Sequence, residues 1–182
     1  MASPPTGTLT LLFTDIEGST WLWEHDATAM QTALTHHDEV LRSAIEERGG
    51  YVFKTVCDAF CCAFATALNA LEVALDTQRA LHFSEWEETS PLKVRMALHT
   101  GAAEERGGDY FGPPLNRAAR LLSAAHGGQV LLSLPTQELV RDQVPHDVRR
   151  NSGQPRAKKL PYLSRFCKVR QHVETYIGGL WL

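Results

Sequence analysis

The stretch Leu9 to Thr20, LTLLFTDIEGST, constrains the fold more than any other part of this chain. Leu9, Leu11, Leu12 and Phe13 make an apolar run of strand length that stops at Thr14 and Asp15. Gly18, Ser19 and Thr20 then lead into a segment that reads as helix. A buried strand that delivers a carboxylate to a glycine-bearing turn ahead of a helix is a platform for a hard cation and a phosphate chain. The carboxylate holds the cation, and the free N–H groups of the turn face phosphate oxygens. The same residues admit a plainer account, in which Asp15 ends a strand and Ser19 or Thr20 caps a helix with no ligand at all.

With 182 residues, the chain is long enough to bury a substantial core in one domain. A net charge of −3 gives no footing for a nucleic-acid surface, so no DNA or RNA partner is expected. No apolar run reaches the roughly 18 residues that cross a bilayer, and no membrane contact is expected. Met1 to Gly7 reads as a short flexible lead without the basic and apolar regions of a signal peptide, which implies a cytoplasmic location. The four cysteines, Cys57, Cys61, Cys62 and Cys167, contain no C-x-x-C pair, and buried reduced thiols are the expectation.

Helical spacing runs from Ala27 to Arg48 before Gly49 and Gly50, with a short helix over Thr20 to Glu24 ahead of it. Tyr51 to Ala65 is rich in aromatic and β-branched residues and reads as a hairpin with Cys57-Asp58 at its tip. A helix follows from Thr66 to about Phe83. A charged loop, Ser84 to Ser90, then leads to a strand over Leu92 to His99, closed by Thr100-Gly101. Ala102 to Gly108 is expected as a hairpin turn and Asp109 to Phe111 as a returning strand. Pro113 and Pro114 suit the first turn of a helix over Leu115 to Ala125, with a strand at Gln129 to Ser133 and a small helix at Pro135 to Asp142. The order argues for an α+β fold with one mixed, mainly antiparallel sheet covered by helices on one face. After Val144 the pattern weakens, and only Phe166 to Tyr176 reads as a strand.

If the strand Leu9–Phe13 lies beside the hairpin, Asp15 and Asp58 converge. Two carboxylates beside a phosphate-binding turn are a site for one or two Mg²⁺ ions, although a turn also favours Asp with no metal. Asn116 and Arg120 are spaced i, i+4 on one helix face. Lys54 and Asp109 are suited to reading a purine edge, Asn116 to positioning a ribose and Arg120 to stabilising phosphoryl charge. Taken singly, each has a plainer account: Lys54 and Arg120 as solvated residues and Asn116 as a helix-start residue.

Four segments in order, FTDIEGST at 13–20, FKTVCDAF at 53–60, VRMALHTG at 94–101 and GDYFGPPLNRAAR at 108–120, resemble the class III nucleotidyl cyclases, above all bacterial adenylate cyclase catalytic domains. The resemblance implies a ferredoxin-like core, β-α-α-β-β-α-β, over a catalytic domain at 8–143, with a lead at 1–7 and an atypical tail at 144–182. It implies an adenylate cyclase that converts ATP to 3′,5′-cyclic AMP and pyrophosphate with two Mg²⁺ or Mn²⁺ ions per site. Asp15, Asp58 and the carbonyl of Ile16 match the metal ligands, and Ile16, Glu17, Gly18, Ser19 and Thr20 match the triphosphate loop. Arg95 matches a phosphate-contacting arginine, Lys54 and Asp109 the adenine-reading pair, and Asn116 and Arg120 the ribose-orienting and transition-state residues. In such cyclases the site is shared between chains, so a head-to-tail homodimer is implied. A guanylate cyclase and a non-catalytic regulatory or nucleotide-binding relative are the alternatives.

Two departures accompany the resemblance. Cys57 stands where the family pattern has glycine, at a turn position expected to need positive φ. Residues 145–182 lack the usual closing strand pair, which would leave a sheet edge unpaired and the phosphate-contacting lysine unassigned among Lys158, Lys159 and Lys168. Gly107 to Phe111 also looks like the GGDEF signature of diguanylate cyclases, but it lies just before the Asn116–Arg120 helix and is set aside.

Overall fold

The computed structural model describes residues 3–86, 91–143, 148–152 and 166–171. Strand β1 (Gly7–Ile16) lies in the interior of the sheet, and its apolar residues are buried on both faces. Helices α1 (Ser19–His25) and α2 (Ala27–Glu47) follow, then the hairpin β2 (Tyr51–Val56) and β3 (Ala59–Phe64). Helix α3 (Ala67–Phe83) leads to the long strand β4 (Val94–Arg106), the short β5 (Asp109–Phe111) and helix α4 (Pro113–Ser123). The remaining elements are β6 (Val130–Ser133), α5 (Leu134–Val140), β7 (Val148–Ser152) and β8 (Phe166–Gln171). The strand order is β2-β3-β1-β4-β6-β8-β7, with β5 paired to β4 outside that path. Among the described residues every pairing is antiparallel except β4 with β6. This is the mixed α+β fold with the β-α-α-β-β-α-β core that the sequence implies.

Local chemistry sets the helix starts. The Asp26 carboxylate accepts from the Ala29 N–H at 2.9 Å and caps α2, and Thr66 Oγ1 accepts from the Asn69 N–H at 3.2 Å and caps α3. Met30, Leu41 and Ile45 of α2 and Leu71, Val73 and Leu75 of α3 pack with Leu12, Ile16, Met96 and Leu98 on one face of the sheet.

The expectation that helices cover one face is corrected by α4. Ala118 joins Leu9, Leu11, Phe13 and Ala63, and Leu121 joins Ala97 and Leu131, on the opposite face. A strand that is apolar on both faces needs cover on both, and the amphipathic α4 supplies the second layer. Strand β4 is a second correction. It passes through Thr100-Gly101 to Arg106, with alternating exposure from Gly101 onward, and the turn is Gly107-Gly108 alone, at φ 63° and 85°. Two consecutive positive φ values are what a two-residue hairpin loop demands, and only glycine adopts them freely. Beyond β6, β8 pairs in register from Val130↔Val169 to Ser133↔Phe166, so the edge expected to be open is covered. Lys158, Lys159 and residues 172–182 lie outside the described residues.

Candidate functional site

Strand β1 carries Asp15 to the end of the sheet where the β2–β3 turn also arrives. The Asp58 side chain is 7% exposed, and its Oδ2 accepts from the Ile16 N–H at 3.1 Å. The Phe60 N–H donates to Thr14 Oγ1 at 3.2 Å and pins the hairpin to β1 one step away. Asp58 is thereby brought to the peptide that joins Asp15 to Ile16. Cys57, just before it, has φ 54°, the one positive value at a non-glycine among the described residues. The turn expected to need glycine therefore has the conformation that cysteine resists.

Asp15 faces Arg95 directly across the β1–β4 ladder. The guanidinium holds its carboxylate through both Nε and a terminal nitrogen, the Nε contact at 2.6 Å to Oδ2. Glu17 donates its N–H to the Lys93 carbonyl at 2.8 Å, which fixes the exit from β1. Gly18 sits at φ 76° as the residue before α1, with Ser19 and Thr20 in the first turn of that helix. The Glu17 carboxylate lies 3.6 Å from His126 Nδ1.

A second group forms on the α4 face. The register of β2 with β3 slips between Val52 and Lys54, a bulge that places both Phe53 and Lys54 on this face. Without the slip Lys54 would follow Val52 onto the α2–α3 side. Lys54 Nζ stands 4.0 Å from Asp109 Oδ2, although β2 and β5 share no ladder. Cys61 pairs across from Lys54, and burial pushes its thiol up to about 11, with Lys54 pulling it down and Asp109 pushing it up. Asn116 and Arg120 are both exposed on α4. Among the described residues no hydrogen bond or ion pair joins Asp15 or Asp58 to Lys54, Asp109, Asn116 or Arg120.

The site set is thus divided. Asp15, Ile16, Asp58, Arg95 and the turn to Thr20 cluster at the end of β1, while Lys54 pairs with Asp109, and Asn116 and Arg120 lie exposed on α4. Asp15, Asp58 and the Ile16 carbonyl offer hard oxygen donors, and buried Asp58 meets one backbone N–H among the described residues. That donor set fits a small divalent cation. No cluster of three or more His, Cys, Asp or Glu that could hold a metal ion exists among the described residues, so an ion here would need further ligands from backbone, water or substrate oxygens.

The sequence suggests His36 and His37 on a helix surface and His99 at the end of a strand; the structure corrects this for His37, which is buried, and for His99, which lies within β4. His37 is fully buried beneath the hairpin against Phe60, with rings 6.0 Å apart, and burial lowers its pKa while Asp38 and Asp58 oppose the shift. His99 Nδ1 lies 2.9 Å from Ser133 Oγ. From there a chain of hydroxyls crosses the sheet, through Thr136 at 3.0 Å and Thr100 at 3.0 Å to Thr10 at 2.9 Å. No local sequence pattern marks this chain of contacts.

The sheet thus brings two carboxylates to a glycine turn and carries a lysine–aspartate pair and an asparagine–arginine helix on its other elements. The family model for the adenylate and guanylate cyclase catalytic domain matches residues 1–162. The chain belongs to that family and is a class III nucleotidyl cyclase domain. An uncharacterised Mycobacterium tuberculosis protein is 43% identical over 146 residues, covering 79% of this chain and 49% of the relative. The adenylate cyclase of Lachancea kluyveri is 36% identical over 156 residues, covering 72% of this chain but 8% of that enzyme. The chain therefore spans about half the length of the mycobacterial relative and a small part of the yeast one. A solved adenylate cyclase structure from Trypanosoma brucei, described in its monomeric state, superposes with a TM-score of 0.79 at 28% identity, covering 92% of each chain. No helix among the described residues is long and apolar enough to cross a membrane.

Proposed function

We propose that this domain is an adenylate cyclase, converting ATP to cyclic AMP and pyrophosphate at a site shared between two copies of the chain. The observation that carries the reading is the Lys54–Asp109 pair, held 4.0 Å apart on strands that do not pair with each other. Adenine presents a donor and an acceptor on its Watson–Crick edge, and an ammonium beside a carboxylate complements both, whereas guanine reverses the pattern.

In the reaction the ribose 3′-oxygen forms a bond to the α-phosphorus, the bond from that phosphorus to the bridging oxygen breaks, and the hydroxyl proton is released. Asp15, Asp58 and the Ile16 carbonyl would hold two Mg²⁺ or Mn²⁺ ions, which supply Lewis-acid polarisation of the hydroxyl and the phosphates when bound. The Ile16 and Glu17 N–H groups are engaged by Asp58 and by the Lys93 carbonyl, so the N–H groups of Gly18, Ser19 and Thr20 donate to triphosphate oxygens, and Arg95 exchanges its carboxylate partner for phosphate. From the second copy, Asn116 orients the ribose and Arg120 meets the charge that builds on the α-phosphoryl oxygens. The sharing of sites in a head-to-tail homodimer is part of the same proposal, and it fits a chain in which, among the described residues, no hydrogen bond or ion pair joins the two sets.

The test is incubation of the purified chain with ATP or GTP and Mn²⁺ or Mg²⁺, with both cyclic nucleotides measured. Cyclic AMP lost in Asp15→Ala and in Arg120→Ala supports the assignment; turnover that survives either change rejects it. Cyclic GMP as the main product would make the domain a guanylate cyclase. Cys57 at φ 54° favours a second reading, a nucleotide-binding relative without turnover, in which strain beside Asp58 weakens metal binding. Nucleotide binding with no cyclic product under either metal would support that reading.

A further inference from the structure

We propose that Tyr51 is a specificity-determining positioning residue: its ring and hydroxyl clasp strand β2 to the β4–β5 hairpin and so set the spacing of Lys54 and Asp109. The functional half of this inference rests on the adenine-reading role proposed above; the structural half stands without it.

The two reading residues sit on strands that exchange no ladder hydrogen bonds, so something else must fix their separation. Three aromatic rings fill the space between those strands. Tyr110 is 2% exposed, and its ring meets Phe53 edge-on at 5.0 Å and Tyr51 at 6.4 Å. Phe53 is the bulged residue next to Lys54, and Tyr110 follows Asp109 directly. Phe53 and Tyr110 are thus each anchored one position from a reading residue.

The polar end of the clasp is Tyr51. Its hydroxyl donates to the Gly108 carbonyl at 3.1 Å, across the gap between β2 and the turn that precedes Asp109. Gly108 is at φ 85°, and a Cβ there would stand 2.9 Å from the Tyr51 hydroxyl, so the fit is close as well as directional. On its other side Gly108 donates its N–H to Glu105 Oε1 at 2.7 Å. The Tyr110 N–H contacts Asp109 Oδ1 at 2.7 Å, and the Tyr110 hydroxyl donates to the Pro5 carbonyl at 2.7 Å. The carboxylate of Asp109 is therefore oriented from its own backbone, and the backbone is held by Tyr51. Lys54 and Asp109 are 56% and 38% exposed as side chains, and an ion pair that open to water does not fix its own geometry.

Tyr51→Phe keeps the ring and removes the bond to Gly108; Tyr51→Leu removes both. Amide hydrogen exchange on the unliganded chain reads the structural half. Exchange at residues 107–111 rises about five-fold in Tyr51→Phe, the loss expected of one hydrogen bond, and further in Tyr51→Leu. Protection unchanged in both variants overturns the clasp, whatever the domain binds. The functional half is read from the dissociation constants of ATP and GTP with Mn²⁺, and from KM and kcat for ATP. The expected outcome is an ATP-to-GTP preference reduced about five-fold in Tyr51→Phe through weaker ATP binding, with kcat changed less than about two-fold. A wild-type chain with no preference for ATP defeats the adenine-reading proposal and, with it, the specificity role of Tyr51. A wild-type preference that both variants retain, alongside a lowered unfolding temperature in Tyr51→Leu, overturns the positioning role and reduces Tyr51 to packing.

Discussion

Asp15 and Arg95 stand opposite each other in the β1–β4 ladder, and the guanidinium grips the carboxylate through two of its nitrogens. One of the two carboxylates suited to a cation is thus neutralised by a resident one. A divalent ion that binds Asp15 must either displace Arg95 or share the carboxylate with it. Removing the guanidinium leaves the acidic pair without its nearest counter-charge. Arg95→Ala is therefore predicted to raise the affinity for Mn²⁺ alone by about two- to five-fold, the order of strength of a partly exposed ion pair. The same change should weaken ATP binding, because the phosphates lose a partner. Calorimetric titration with Mn²⁺ and then with ATP reads both; Mn²⁺ affinity that falls in the variant would reject the competition.

Cys57 gives a second prediction. Its φ of 54° costs a side-chain-bearing residue on the order of 1 kcal/mol relative to glycine, and the strain lies directly before Asp58. Cys57→Gly should raise the unfolding free energy by about 1 kcal/mol, and the transition temperature by about 2–4 °C. If the strain also displaces Asp58, turnover or Mn²⁺ affinity rises in the same variant. Denaturant melts with no gain in stability would refute the strain argument.

Much of this site was legible because its signals are local. The β1 run ending at Asp15, the Cys57-Asp58 tip and the Pro-Pro start of α4 are each written in adjacent residues. What stayed hidden depends on long-range partners. The bulge at Phe53 has no glycine or proline to announce it, so the alternation through Tyr51, Val52, Phe53 and Lys54 reads as a regular strand. Thr100-Gly101 reads as a strand end, yet β4 continues because Gly7, Thr8 and Leu9 of β1 pair with Ala103, Ala102 and Gly101. Nor does the apolar stripe of α4 state which face of the sheet it covers. That followed only from β1 being buried on both faces.

The buried histidines predict a pH dependence. Burial lowers the pKa of His99 to about 4 from the ordinary 6.5, with Arg117 acting in the same direction. The unfolded chain then binds a proton at mildly acid pH that the folded chain refuses. Stability is full above the unfolded value and is lost as pH falls from about 6.5 toward 4. From pH 7 to pH 5 this one residue should cost roughly 2 kcal/mol. Urea unfolding of the wild type and of His99→Gln at the two pH values isolates it: the drop should shrink by that amount in the variant. An equal drop in both would exclude His99 as the source.

The cysteines of the hairpin should differ sharply in reactivity. Cys57 is exposed at the turn, Cys61 is half-buried with its thiol pushed up to about 11, and Cys62 is buried with its thiol raised further. The thiolate is the reactive form, so alkylation rate follows both exposure and pKa. In a Cys167→Ser background at neutral pH, a maleimide should modify Cys57 first, Cys61 slowly and Cys62 only on unfolding. Mass spectrometry of timed digests gives the order, and early modification of Cys62 would contradict its burial.

The division of the site between Asp15 and Asp58 at one end of β1 and Asn116 and Arg120 on α4 leads to a quantitative test. If each site draws its carboxylates from one copy and its arginine from the other, Asp15→Ala and Arg120→Ala homodimers are each inactive. Random mixing makes about half of all dimers mixed, and a mixed dimer holds one intact site of two. An equal mixture should therefore recover about one quarter of the wild-type cyclic AMP rate at the same total concentration. The recovery should vanish on dilution below the dimer dissociation constant, because both copies are needed for one turnover. If the four residues instead acted within one chain, every mixed dimer would carry one defect in each copy, and mixing would restore nothing.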